Sequence, residues 1–508
     1  MERVSSKWMA TVASMWIQYS SGANTFGVYS SVLKSTQGYD QSTLETVALF
    51  RDIGSVGGVL AGLLYTAVTS SSNHSGFGGP WVVLLAGAIQ SFLGYFLTWA
   101  SVVGLIQRPP VPLMCLFMYL STQSMPFFNT ANMVSGVQNF QDYSGTIVGI
   151  MKGFGGISGA IIIHVYDTFY KGEPSKFLLM LALLPTFITL VLMLLVKIYK
   201  TNTGDDKKHL KDFSAVVLII AGYLMIIIIL ENIFSLPLWA HKFTFTLLLF
   251  LLASPLGIAI KAQKDDSKRF LETFSSRGKV SVALDDEVLF DEEGMNLLQA
   301  MCTVNFWLLF TAMICGLGST QAVINNLSQM GQSLNYTSVE VNNLVSLWSI
   351  WVCLGRVGFG YLSDYLLHKR GLARPLLLAA TLATMVIGHI VIAYGILYVG
   401  SILIAICDGS LLALIPTITK DIFGVRHMGT IFHAITIAGP VGCYILSVKL
   451  IGYIYDKEAG GDDHSCFGTR CFMSSFIIVA SLALLGFLLA ITLFFRTKRF
   501  YSPRRSTL

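Results

Sequence analysis

Long apolar segments follow one another along almost the whole chain, and short polar stretches separate them. A helix needs about 20 predominantly apolar residues to cross a hydrocarbon core of about 30 Å, and most of these segments are at least that long. Charged residues make up only 12% of the 508 residues, whereas soluble domains carry about 25%. The sequence therefore predicts an all-α polytopic membrane protein.

We predict fourteen transmembrane spans in the order six, two and six. They cover residues 8–32, 43–69, 80–103, 111–139, 145–168, 176–199, 213–234, 239–261, 298–324, 338–366, 374–394, 397–419, 429–455 and 472–495. This order predicts an N-terminal six-helix half (1–200), two additional helices (201–261), an acidic cytoplasmic linker (262–297) and a C-terminal six-helix half with a cytoplasmic tail (298–508).

Two pairs of segments recur between the predicted halves. "SGTIVGIMKGFGGISG" starting at Ser144 resembles "MGTIFHAITIAGPVGC" starting at Met428, and both open a fifth helix. "GGVLAGLLYT" at 57–66 resembles "GRVGFGYLSD" at 355–364, and both close a second helix. Two six-helix halves in the same orientation are typical of the major facilitator fold, whose site lies between the halves near the bilayer midplane.

The placement of basic residues predicts the orientation of the chain. With a cytoplasmic N-terminus, the inside segments collect about 23 of the 34 lysines and arginines, as the positive-inside rule requires. Both termini are therefore expected in the cytoplasm. The sequence does not identify which cellular membrane holds the protein. Asn335, a candidate glycosylation site, and the pair Cys466 and Cys471 would lie outside. The two cysteines either form a disulfide, since that compartment is oxidising, or remain free.

Charged residues inside predicted spans are candidates for function because they are costly in lipid. Arg51 and Asp52 interrupt the apolar segment "VALFRDIGSVGGVLAGLLY". Neighbours in a helix do not face each other, so we expect different partners for them, with Lys152 favoured for Asp52. Asp408 and His389 are the candidates in the second half. One hypothesis is that Lys152 or Arg51 binds an anionic small molecule while Asp52 carries a coupling proton; the alternative is a structural salt bridge.

The stretch "GRVGFGYLSDYLLHKRGLAR" at 355–374 resembles the glycine–arginine–aspartate motif of the major facilitator superfamily. We interpret it as a cytoplasmic gate formed by five residues: Gly355, Arg356, Gly360, Asp364 and Arg370. The glycines would let a neighbouring helix approach closely, and the charged groups would bind helix ends or carboxylates. The alternative is that the basic residues only fix topology.

The resemblance implies a specific contact for this gate. Asp364 would meet the start of the fifth helix, near Ser144 and Gly145, when the cytoplasmic side is closed. The first half has Thr66 at the position equivalent to Asp364. We therefore expect an ionic contact on one side of the gate.

The chain also resembles a narrower family. "KWMATVASMWIQYSSGANTFGVYSSVLKSTQGYDQSTL" is similar to the plant nodulin-like domain. "GLGSTQAVINNLSQMGQSL", "LGRVGFGYLSD" and "CFGTRCF" are similar to nuclear fusion defective 4-like proteins. The resemblance implies a plant multi-pass protein of the major facilitator type and no particular substrate. Lys420-Asp421 and the "CDGS" containing Asp408 depart from the pattern of this family.

These features predict a secondary transporter that moves a small solute by alternating access. An organic anion and proton coupling are the finer hypotheses. The alternative is a receptor or scaffold that keeps the fold without transporting, with the acidic 262–297 loop binding a protein partner. We expect contact with membrane lipid, no nucleic acid partner, no cofactor, no metal site and, in the absence of convincing catalytic motifs, no enzymatic activity.

Overall fold

The computed structural model describes residues 6–22, 25–69, 78–199, 206–234, 237–276, 294–458 and 466–501. The acidic cluster at 284–293 lies outside the described residues, so the structure gives no account of that part of the predicted linker. The described chain is helical and contains no β-strand.

The N-terminal half and the additional helices are formed by α1 to α10. Their bounds are α1 Lys7–Ser20, α2 Phe26–Gln37, α3 Gln41–Val56, α4 Gly58–Thr69, α5 Pro80–Val102, α6 Val111–Asn139, α7 Ser144–Phe169, α8 Pro174–Leu192, α9 Asp206–Ile233 and α10 Leu238–Ser276.

The C-terminal half is formed by α11 to α19. Their bounds are α11 Leu297–Met301, α12 Val304–Ser333, α13 Ser338–Arg370, α14 Arg374–Ala393, α15 Leu397–Phe423, α16 Met428–Thr436, α17 Ala438–Cys443, α18 Tyr453–Glu458 and α19 Arg470–Thr497. A π-helical segment, Tyr444–Gly452, joins α17 to α18.

Thirteen described helical segments are long and apolar enough to cross a membrane. The predicted first span, 8–32, is instead built from two short helices, α1 and α2, which explains the difference from fourteen. The first of them, α1, ends at Ser20, and Gly22 shortly after it has a left-handed φ of +64°, which glycine adopts readily. By contrast, α3 and α4 together form one span, Gln41–Thr69.

The two halves pack tightly at one end of the bundle, the end that carries Asp364 and the start of α7; we call it the closed end. There α7 lies against α13, and α4 lies against α16. At the opposite end, which we call the open end, α3 and the π-helical segment are not packed against each other, and we call the space between them the gap. Asp52 interacts electrostatically with Cys443, yet its side chain is 62% exposed.

The additional helices are attached mainly to α1, α7 and α13. Lys7 forms an ion pair of 2.6 Å with Asp206, and the Trp8 indole donates a 2.7 Å hydrogen bond to Asp266. Because α10 continues to Ser276, the first part of the segment predicted as a linker from residue 262 is helical. This extension carries the carboxylate that Trp8 binds.

Candidate functional site

Two cations from different halves lie close together where α7 packs against α13. Lys152 lies on α7 and Arg356 on α13, and both are partly buried. The Arg356 Nη1 donates a 2.8 Å hydrogen bond to the Lys152 carbonyl oxygen, and the two side-chain charges lie close enough to repel each other. Among the described residues neither forms an ion pair, and the Arg356 Nε is buried without a hydrogen-bond partner.

This position of Arg356 differs from the predicted one. The sequence places it in the gate, whereas its guanidinium lies centrally, against Gly156 of the other half. A side chain added at Gly156 would place its Cβ 2.3 Å from Arg356 Nη1. The missing side chain thus gives the guanidinium room to cross between the halves.

Asp408 supplies a carboxylate beside this pair of cations. It lies on α15, partly buried, and accepts a 2.7 Å hydrogen bond from the Thr320 hydroxyl. Arg356 is near enough to interact with it electrostatically. Arg356 therefore has Lys152 on one side and a carboxylate on the other.

The aromatic wall of the site was not predicted from the sequence. The Lys152 ammonium lies 4.6 Å from the ring centre of Phe432, and His433 interacts electrostatically with the same ammonium. His433 Nε2 is 2.8 Å from the Thr130 hydroxyl of the other half. The repeat between the halves was the sequence signal that could have indicated these residues, because it aligns Lys152 of the first half with the "FHAIT" segment of the second half.

Arg51 and Asp52 bind each other, so the predicted pairing of Asp52 with Lys152 is wrong. The Arg51 Nε donates to Asp52 Oδ1 at 2.9 Å, and the guanidinium lies 4.5 Å from the Phe26 ring centre. The prediction considered only the directions of the Cβ atoms, which point apart for neighbouring residues in a helix. The long arginine side chain bends along the helix surface and reaches the Asp52 carboxylate. His389 is also remote, since it is buried in the second half beside Phe476.

Asp364 binds the amino-terminal end of α7 at the closed end. Its carboxylate accepts hydrogen bonds from the amide of Gly145 at 3.0 Å and from the amide of Thr146 at 2.6 Å. The Thr146 hydroxyl adds a third bond of 2.8 Å. Free amide groups and the helix dipole favour a negative charge at this position, so the contact expected near Gly145 is present.

Arg374 completes this contact in place of the predicted Arg370. Its fully buried guanidinium forms ion pairs with Asp364, at 2.6 Å, and with Asp421, and it donates a 3.1 Å hydrogen bond to the Ser144 hydroxyl. Arg370 is exposed at the end of α13. We call the group of Ser144, Gly145, Thr146, Asp364, Arg374 and Asp421 the latch.

The motif glycines lie where neighbouring helices approach closely. A Cβ on Gly355 would lie 2.1 Å from the Ile406 carbonyl oxygen, and one on Gly360 would lie 2.5 Å from the Gly145 carbonyl oxygen. At the position equivalent to Asp364, the Thr66 hydroxyl donates a 3.3 Å hydrogen bond to the Arg426 carbonyl. At the closed end, the contact made by Thr66 is therefore between neutral groups, whereas the latch contains charged groups.

The open end carries the predicted extracellular features. Cys466 and Cys471 form a disulfide with a Cα–Cα distance of 5.8 Å. Asn335 lies exposed between α12 and α13 with a φ of +59°. Its glycosylation remains a prediction.

Two family models match the chain. Nodulin-like matches residues 7–260, and NFD4, C-terminal domain, matches residues 288–503. Protein NUCLEAR FUSION DEFECTIVE 4 of Arabidopsis thaliana is 25% identical over 97% of this chain and 89% of that protein. Probable transporter MCH1 of Debaryomyces hansenii is 28% identical over 40% of this chain and 44% of that protein.

Solved structures of major facilitator proteins share the fold. The Escherichia coli fucose:proton symporter FucP has a TM-score of 0.53 at 12% identity, covering 96% of this chain and 98% of that one. The proton:xylose symporter XylE also has a TM-score of 0.53 at 12% identity, covering 96% and 94%. Matched along both halves, the chain belongs to the nodulin-like, nuclear fusion defective 4-like family, and it has the major facilitator fold.

Proposed function

We propose that this protein is a secondary transporter that moves a small organic anion by alternating access. The observation that carries the proposal is the pair Lys152 and Arg356, one cation from each half, without an ion pair among the described residues. Cations inside a membrane protein are costly unless they are paired or hydrated. A carboxylate from solution would supply the missing negative charge.

Similar proteins support transport in general. FucP and XylE are proton symporters of fucose and xylose, and the yeast relative is a probable transporter. The charges of this chain favour a different kind of solute. A neutral sugar leaves the two cations with only the Asp408 carboxylate beside Arg356, whereas an anion would supply a second negative charge.

The conformation suits the first step of such a cycle. With cytoplasmic termini, as the basic residues predict, the open end faces outward and the latch closes the inner side. An anion entering the gap would contact one cation on each half and so draw the halves together. Return to the inside would then require the latch to separate.

Asp408 is our candidate for proton coupling, in preference to Asp52, which is exposed and bound to Arg51. The Asp408 carboxylate competes with an incoming anion for Arg356, since the two side chains interact electrostatically. Protonation of Asp408 removes this competition. Binding of a proton and of the anion would therefore favour each other, which is the linkage that symport needs.

Uptake into liposomes tests the proposal. Purified protein is reconstituted, and uptake of labelled organic acids, amino acids and neutral sugars is measured with an inward proton gradient. We expect gradient-dependent uptake of an acid, its loss in Lys152→Ala and in Arg356→Ala, and normal uptake in Lys176→Ala. Lys176 is a suitable control because it forms an exposed i, i+3 pair with Glu173.

The result separates the proposed roles. Uptake of a neutral sugar that survives both central substitutions would contradict the anion site. No uptake of any solute by folded wild-type protein would favour the receptor or scaffold alternative. Folding is checked for each variant by size-exclusion profile and thermal unfolding.

A further inference from the structure

Three potential metal ligands converge at the open end, away from the central site. His164 on α7, Glu231 on α9 and His241 on α10 each direct one ligand atom into the same space, and these atoms lie within 4.8 Å of one another. The Glu231 Oε1 is 3.5 Å from His164 Nδ1 and 3.3 Å from His241 Nδ1. Three separate helices contribute one group each.

All three of these atoms lack a hydrogen-bond partner among the described residues. The His164 Nδ1, His241 Nδ1 and Glu231 Oε1 are buried and unsatisfied, and the two histidines are only 4% and 5% exposed. A buried polar atom without a partner costs about 1–3 kcal/mol. Three such atoms directed at the same point indicate that they bind one group that accepts electron pairs from all of them.

The surroundings orient the ligands. The His164 Nε2 lies 3.2 Å from the Thr244 hydroxyl, which leaves Nδ1 directed at the cluster. Hydrogen bonds of this kind fix the ring and the tautomer of metal-binding histidines. Asp167, one turn along α7 from His164, interacts electrostatically with all three groups and adds negative charge near a bound cation.

We infer that His164, Glu231 and His241 bind a divalent transition-metal ion of the zinc class. Two imidazoles and a carboxylate are a common ligand set for such ions, with the remaining position open to water or another ligand. Calcium and magnesium are less suited, since they prefer oxygen ligands. The sequence analysis predicts no metal site because these residues are far apart in the chain and form no motif.

The site joins the additional helices to the N-terminal half. His164 lies 20 positions after Ser144, so it is about 30 Å along α7 from the closed end. A metal ion there would hold α7, α9 and α10 together at the open end, while Lys7 and Trp8 attach α9 and α10 to α1 at the other end. It would fix the additional helices without entering the central gap.

Metal binding to the full-length protein tests this inference. Protein with a tag that contains no histidine is stripped with a chelator and dialysed against Zn²⁺, and bound metal is measured by mass spectrometry. We expect about one retained ion per chain, and a Co²⁺ derivative with the ligand-field absorption of imidazole coordination. Metal removal is expected to lower the unfolding temperature.

Variants locate the ion. Retention is expected to be lost in Glu231→Gln and His241→Ala, and Thr244→Val is expected to weaken affinity by about 10–100-fold. His209→Ala is the matched control, because His209 is a buried histidine on α9 beside Asp265 at the closed end. The inference would be overturned if stripped wild-type protein retained no Zn²⁺ after dialysis, or if Glu231→Gln and His241→Ala retained as much as wild type. The three side chains would then be a polar cluster that shares protons and binds no metal.

Discussion

In the proposed function, an incoming anion would change the balance of charge among Lys152, Arg356 and Asp408. Arg356 interacts with both of the others, while Thr320 holds the Asp408 carboxylate. The net charge of this group is positive when Asp408 is ionised, and more so when it is protonated. Its affinity for an anion should therefore rise as Asp408 takes up a proton.

Asp408→Asn provides a test of this coupling. The amide mimics the protonated acid and can still accept a hydrogen bond from Thr320, so the anion site is kept while the titrating group is lost. We expect proton-driven accumulation in liposomes to disappear and anion exchange at equal pH to continue at about the wild-type rate. Accumulation that still follows the pH gradient would exclude Asp408 as the coupling group.

Asp364→Asn should weaken the latch. Hydrogen bonds to a charged group contribute about 1.5–3 kcal/mol each, and 1.4 kcal/mol is a tenfold change in an equilibrium. We expect the closed end to open at least about tenfold more often, measured as the distance distribution between spin labels at Asp142 and Arg370, which are exposed in different halves.

Thr66→Ala is the matched control for that variant. It removes a neutral hydroxyl that is shared between the Gly62 carbonyl of its own helix and the Arg426 carbonyl of the other half, and the bond between the halves is worth about 1 kcal/mol. It should change the same distribution only a few-fold. Equal effects of the two substitutions would show that the charged contact is not the main stabiliser of the closed end.

The sequence could predict which charged residues lie inside spans but only some of their partners. The contact of Asp364 with α7 follows from a helix end that needs acceptors, so it was predictable. Arg374 lies four residues beyond the predicted Arg370, and only the turn after α13 brings it back to Asp364. Likewise, the flexible side chain of Arg51 decides its pairing with Asp52.

Among the elements, α7 and α13 show how the halves can close without side chains between them. A Cβ on Gly145 would lie 2.6 Å from the Gly360 carbonyl oxygen, and one on Gly149 would lie 2.6 Å from the Arg356 carbonyl oxygen. Small residues that permit such backbone contact are typical of helix interfaces in membranes. The closed end thus depends on the absence of side chains at these positions.

Gly360→Ala tests this dependence, with Gly358→Ala as its control on the same helix. The added methyl at Gly360 meets backbone at 2.5–2.9 Å, whereas nothing lies within 4 Å at Gly358. We expect Gly360→Ala to destabilise the protein by about 1–3 kcal/mol and to lengthen the closed-end distance. Gly358→Ala should leave both unchanged, and equal behaviour of the two variants would contradict the close contact.

The presence of the membrane-spanning helices was easier to predict from the sequence than the residues at which they begin and end. Runs of apolar residues identify the spans because lipid requires them. The continuation of α10 to Ser276 and the end of α1 at Ser20 depend on distant residues. Asp266 of α10 binds Trp8, and a Cβ at Gly22 would lie 2.7 Å from the Leu181 side chain. Apolar length alone does not contain that information.

For the whole molecule, the repeat predicts two similar halves but not their relative position. The structure has the latch closed and the gap open. If the termini lie inside, as the basic residues predict, this is an outward-open state. For transport, the same molecule must also visit the opposite state.

The most direct measurement of this claim is a pair of spin-label distances recorded across both ends. One pair is Asp142 and Arg370 at the closed end, and the other is Leu49 and Val448, which are exposed at the open end. The free cysteines are replaced beforehand, and Cys466–Cys471 is retained. We predict that a transported anion at low pH shortens the open-end distance and lengthens the closed-end distance together, and that Asp364→Asn favours the same change. Two distances that stay fixed with the anion and in this variant would contradict alternating access.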